Sequence, residues 1–78
     1  MTEFIPRAKA ESLASYIPGL LNRILLSGDD AEFILISSEG VLSTEFDVAV
    51  IEDGAVSYIS DDSRKAEVEA FLTHKTMV

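Results

Sequence analysis

The sequence has no cysteine and no tryptophan, a single histidine (His74), two prolines and four glycines among 78 residues. Without cysteine there can be no disulfide, no thiolate metal ligand and no thiol nucleophile. With one histidine, a Ser-His-Asp arrangement would have to run through His74 near the C-terminus, and no nucleophile-elbow pattern accompanies it. Gly19, Gly28, Gly40 and Gly54 stand singly, so no glycine-rich loop is available to cradle a phosphate. No apolar run approaches the roughly 18 residues of a membrane-spanning helix. The start, Met1-Thr2-Glu3-Phe4-Ile5-Pro6, lacks the basic region and apolar stretch of a secretory signal, which leads to the expectation of a cytoplasmic protein.

A further absence is local. Fourteen acids against six bases give a formal charge of −8. Residues 1–27 hold Glu3 and Glu11 against Arg7, Lys9 and Arg23, and residues 63–78 hold Glu67 and Glu69 against Arg64, Lys65 and Lys75. The stretch between them, 28–62, carries Asp29, Asp30, Glu32, Glu39, Glu45, Asp47, Glu52, Asp53, Asp61 and Asp62 with no Lys or Arg. Acids at strand edges and turns serve solubility and guard against edge pairing. Lysine is the usual guard of an exposed edge, however, so its complete absence here also fits a functional acidic face.

What is present fits a folded chain. Hydrophobic residues make up 47% of the sequence, more than a disordered acidic segment carries. The length allows one domain, 1–78. A domain of about 60 residues buries only roughly 60% of the surface its unfolded chain exposes, so the core is marginal and self-association is a reasonable expectation.

Ala10, Leu13, Ala14, Ile17, Leu21, Ile24 and Leu25 share the 3.6-residue period of a helix face, with Pro6 near the start and Gly28 just past the end. Pro18-Gly19 interrupts this helix, and because the stripe stays in phase a kinked pair packing on one surface is predicted. Ala31 to Ser37 reads as a strand, and its Phe33-Ile34-Leu35-Ile36 core lacks alternation, as in a strand covered on both faces. A turn at Ser37-Ser38-Glu39-Gly40 leads to a second strand, Val41 to Ile51. Asp53-Gly54 is a strong two-residue hairpin signal, leading to a third strand, Ala55 to Ser60. Asp61, Asp62 and Ser63 offer N-cap side chains to a last helix, with Val68, Phe71 and Leu72 as its buried stripe and Thr76-Met77-Val78 as a tail.

The predicted fold class is therefore α+β. Its layout is two-layer, with a kinked N-terminal helix, a three-stranded antiparallel meander and a C-terminal helix.

A two-residue hairpin loop would pair Ile51 with Val56, Val50 with Ser57, Ala49 with Tyr58 and Val48 with Ile59. One sheet face then collects Phe46, Val48, Val50, Ala55 and Ile59, which both helices would cover. The other collects Glu45, Asp47, Ala49, Ile51, Val56 and Tyr58. On that face Tyr58, Ile51 and Val56 form an apolar centre rimmed by Glu45, Asp47, Glu52 and Asp53, the composition of a partner-binding patch. Glu45 and Asp47 would stand roughly 6.8 Å apart along the strand.

These residues indicate protein binding more than chemistry. No catalytic residue is identified and no cofactor is expected. Asp29-Asp30 with Glu32, or Asp61-Asp62, could offer oxygens to Mg²⁺ or Ca²⁺, but neither matches a calcium-loop pattern, and capping and turn roles suffice. An acidic field disfavours direct binding to nucleic acid.

The expected activity is that of a non-enzymatic interaction module, docking an anionic sheet face on a basic, nucleic-acid-binding surface of a partner protein. That small, acidic, non-catalytic profile is similar to that of many stoichiometric inhibitors that act as nucleic-acid mimics, among them phage-encoded blockers of host nucleases and anti-CRISPR proteins, although no motif of any family is present. The alternative is a small structural or regulatory homodimer associating around Tyr58.

Overall fold

The computed structural model describes residues 2–37 and 45–76. Strand β1 (Thr2–Ile5) leads through Pro6 into helix α1 (Arg7–Leu13), a 3₁₀ turn (Ala14–Tyr16) and helix α2 (Leu20–Leu26). Strands β2 (Glu32–Ser37), β3 (Phe46–Glu52) and β4 (Ala55–Ile59) follow, and a second 3₁₀ turn (Asp62–Arg64) runs into helix α3 (Lys65–Thr76). The class is α+β, with a four-stranded antiparallel sheet in the order β1-β2-β3-β4. The predicted turn at 38–40, the predicted strand residues 41–44 and the tail residues 77–78 lie outside the described residues.

The first strand is absent from the sequence-based layout. Phe4 and Ile5 immediately precede Pro6, and a residue before proline is held extended by the ring. Thr2 to Ile5 then pair with Ile36 to Phe33 of β2, making β1 an edge. Four residues with apolar side chains on both faces give no alternation to detect.

Helices cover both faces of the sheet, so the architecture has three layers where two were predicted. Ile5, Phe33, Val48 and Val50 turn to one side and pack with Ala10, Ala14, Leu20 and Ile24 of the N-terminal helical segment. Ile34, Ile36, Ala49, Ile51 and Ile59 turn to the other and pack with Val68, with Phe4, Phe71 and Leu72 around them. The cause lies in β2, whose unbroken apolar run demands cover on both faces, and its neighbours in register share that demand. Phe4 meets Phe71 at 5.3 Å between ring centroids, and Thr2 Oγ1 donates to Glu67 Oε2 at 2.8 Å, fastening β1 to α3.

The interruption at Pro18-Gly19 is a break. Ile17 is extended and Gly19 takes a left-handed φ of 82°, so α2 begins as a new helix. Both helices still pack on one surface, as expected, but the stripe does not stay in phase. Leu20 and Ile24 are fully buried, whereas Leu21 and Leu25, expected in the core, are 48% and 61% exposed. Arg7 then locks the end of α2 in place, donating through Nη2 to Ile24 O at 2.8 Å and through Nη1 to Gly28 O at 3.4 Å.

The hairpin forms as predicted at Asp53-Gly54, with positive φ at both residues (54° and 78°). Its register shifts beyond the second pair. Glu52 faces Ala55 and Ile51 faces Val56, but Val50 faces Tyr58 and Ala49 faces Ile59, leaving Ser57 as an extra residue in β4. The bulge moves Tyr58 to the α1–α2 side and Ile59 to the α3 side, the reverse of the predicted faces. Arg23 holds it, with Nη2 donating to Ser57 O at 2.9 Å and the guanidinium carbon 5.7 Å from the centre of the Tyr58 ring.

Candidate functional site

The residues expected to form one docking face are spread over the molecule. Ile51 is 1% exposed beneath α3, and Val56 packs at the margin of the same cluster. Tyr58 belongs to the opposite core, under Arg23. The anionic sheet face therefore does not form, and the surface proposed for a homodimer around Tyr58 is not presented. The bulge at Ser57 and the placement of helices on both faces are the physical reasons.

The acids themselves collect at two ends of the sheet. Strand β3 has Asp47 near its start and Glu52 at its end, and seven residues of strand span roughly 20 Å from first to last Cα. Glu45 and Asp47 share an open cleft with Asp61, Arg64 and Tyr16 at the end where α3 begins. Glu52 and Asp53 share another with Asp29 and Asp30 at the hairpin end, and Glu32 stands opposite Ile51 at that same end. Glu39 lies outside the described residues.

At the end near α3, Asp47 and Asp61 are internally satisfied, whereas Asp62 is exposed with neither an ion pair nor a side-chain hydrogen bond among the described residues. Arg64 Nε lies 3.2 Å from Asp47 Oδ2, with both side chains about one-fifth exposed. Ser60 Oγ donates to Asp47 Oδ1 at 2.8 Å and accepts from Val48 N at 3.0 Å. Asp61 Oδ1 accepts from Ser63 Oγ at 2.8 Å and from Ser63 N at 3.0 Å, capping the 3₁₀ turn. The Ser63 hydroxyl, then its backbone N–H, then nearby Arg64 hold the Asp61 carboxyl below the usual range. Capping is thus the role of Asp61, as its place before a helix suggested.

The hairpin end is different. Glu52 accepts from Ser57 Oγ at 3.0 Å. Among the described residues, Asp29, Asp30, Glu32 and Asp53 have neither an ion pair nor a side-chain hydrogen bond, and all four are exposed. Arg7 reaches the Gly28 carbonyl beside Asp29, but its guanidinium is already engaged by the carbonyls of Ile24 and Gly28 and by Glu11 at 3.7 Å. The sequence names Glu52 and Asp53 for this site but not Asp29, Asp30 and Glu32. Antiparallel pairing of β2 with β3 was the available signal, since it sets the entry to β2 beside the exit from β3.

Beside this acidic end stands the exposed flank of α2. Leu21, Leu25 and Leu26 are 48%, 61% and 80% exposed. Two residues separate Leu26 from Asp29, so their Cα atoms, three steps apart, lie within roughly 11 Å of each other. The exposed end of α2 is thus close along the chain to the open carboxylates of Asp29 and Asp30.

Among the described residues, no group of three or more His, Asp or Glu side chains is disposed to hold a metal ion. No helix among them is long and apolar enough to cross a membrane. Comparison with known proteins finds no matching family model, no similar curated protein and no similar solved structure.

Proposed function

We propose that the chain is a non-enzymatic, cytoplasmic interaction module that docks its hairpin end on a basic surface of another protein. The observation that carries this reading is the gathering of Asp29, Asp30, Glu32, Glu52 and Asp53 at one end, with no Lys or Arg paired to them among the described residues. Carboxylates left open in this way keep their field for an incoming cation, whereas Asp47 and Asp61 near α3 have spent theirs on Arg64 and Ser63. A groove of Lys and Arg that otherwise holds phosphates is the natural counterface. A stoichiometric inhibitor of a nucleic-acid-binding protein would work by occupying such a groove.

Fluorescently labelled hexalysine provides a defined probe. Its affinity should fall steeply between about 20 mM and about 200 mM NaCl, because the contacts are exposed and screened. Neutralising the hairpin end with Asp29→Asn, Asp30→Asn and Asp53→Asn removes three exposed attractions, each worth up to about 1 kcal/mol, and should weaken binding by about tenfold. The matched change Glu45→Gln, Asp47→Asn and Asp61→Asn removes the same formal charge from carboxylates that have partners in the fold and should have a markedly smaller effect. Equal losses from the two sets would refute the assignment.

A further inference from the structure

We infer that the outer ridge of α2 (Leu21, Leu25 and Leu26) is the apolar half of a single docking surface, and that its occupant is a cationic amphipathic helix of a partner protein. The inference rests on the reading of the hairpin end given above and adds the shape and chemistry of what binds there.

Every large hydrophobic side chain that is exposed among the described residues falls between Tyr16 and Leu26. Tyr16 has a partner in the fold, its ring meeting Phe46 edge-on at 6.0 Å. The three leucines point away from the core that Leu20 and Ile24 enter. Leu21 and Leu25 stand four residues apart, a row that forms a ridge suited to the groove of a second helix. Leu26 extends this ridge toward Asp29.

The charge beside the ridge selects the occupant. A second copy would bring another set of open carboxylates to an already anionic surface, in a chain of net charge −8. An anionic membrane would meet the same repulsion. A helix with leucine-like side chains on one face and Lys or Arg beside them satisfies both halves together. The ridge spans roughly 7.5 Å along α2. With up to roughly 11 Å more to the carboxylates, the matching helix needs about 12 residues.

Two synthetic peptides test this. One, of about 18 Leu and Lys residues, places leucines at i, i+3, i+4 and i+7, and the other is a scramble of the same composition. The patterned peptide should bind the intact chain about tenfold more tightly or better, a difference of about 1.4 kcal/mol. Leu25→Ser with Leu26→Ser should abolish that preference while leaving hexalysine binding unchanged, since both leucines lie outside the core. Equal affinity for the two peptides, or a preference that survives the leucine changes, would overturn the inference while hexalysine binding still judges the acidic end separately. Sedimentation of the unmodified chain as a dimer, reverting to monomer with Leu25→Ser and Leu26→Ser, would assign the ridge to a second copy and also overturn it.

Discussion

Leu20 is completely buried and Leu21, the next residue, is half exposed. The left-handed Gly19 that starts α2 makes this choice, because it resets the helix phase after Ile17. An uninterrupted helix would have carried the stripe from Ile17 to Leu21 and Leu25. The break turns Leu20 inward beside Ile24, which the stripe already placed in the core, and leaves Leu21 and Leu25 on the solvent side. The exposure of Leu21 and Leu25 thus follows from one backbone conformation.

This origin makes the two kinds of leucine behave differently. Leu20→Ala removes a fully buried side chain and should cost roughly 2–5 kcal/mol, a large share of the roughly 5–15 kcal/mol that stabilises a typical domain. Leu25→Ser and Leu26→Ser should each stay within about 0.5 kcal/mol of the parent. Urea denaturation measures both. A core-sized loss from Leu26→Ser would mean that α2 sits in another phase.

The bulge carries a second expectation. Deleting Ser57 would remove the extra residue and let Tyr58 follow Val56 directly, so that Tyr58 still faces Val50 on the α1–α2 side and Ile59 still faces Ala49 on the α3 side. Cooperative unfolding should persist, with a moderate drop in midpoint from losing the contacts of Ser57 with Arg23, Val50 and Glu52. Ser57→Ala keeps the register and gives up only a hydroxyl near Val50 O and Glu52 Oε1, a change of about 1 kcal/mol. A deletion variant that loses cooperative unfolding would contradict this register, because only an unbulged strand would have its faces exchanged by the deletion.

Much of the fold is legible in the residues, and the exceptions have specific causes. The unbroken apolar run 33–36 announces a strand buried on both faces, and Asp53-Gly54 announces the hairpin of β3 and β4. Asp61 and Ser63 announce a capped helix start. The bulge has no comparable sign, because Ser57 differs little from any other polar strand residue and the shift depends on which side Arg23 and α3 cover. One displaced residue exchanged the faces of Tyr58 and Ile59 and removed the expected binding face. The acidic bias of 28–62 is plain in the sequence, but its division into a satisfied end and an open end depends on where Arg64 and Arg7 reach, which pattern alone does not specify.

Acid should act through Asp61. Its carboxyl is held below its ordinary range in the folded chain, so its contribution is present above the unfolded value, about 4, and is lost as pH falls through the folded value. The thermal midpoint should therefore decline as pH drops below about 4, and Ser63→Ala, which removes the leading donor, should make that decline shallower. Thermal melts across the acid range measure this. An unchanged acid slope in Ser63→Ala would show that the contact does not hold the carboxyl down.

The most direct test of the unequal ends is a ¹⁵N–¹H correlation spectrum recorded while hexalysine is added. Amides of Asp29, Asp30, Glu32, Glu52 and Asp53 should shift progressively and saturate together, with Asp47 and Asp61 nearly still. Shifts centred on Asp47 and Asp61, or spread evenly over every carboxylate, would contradict the claim that the hairpin end is the docking end.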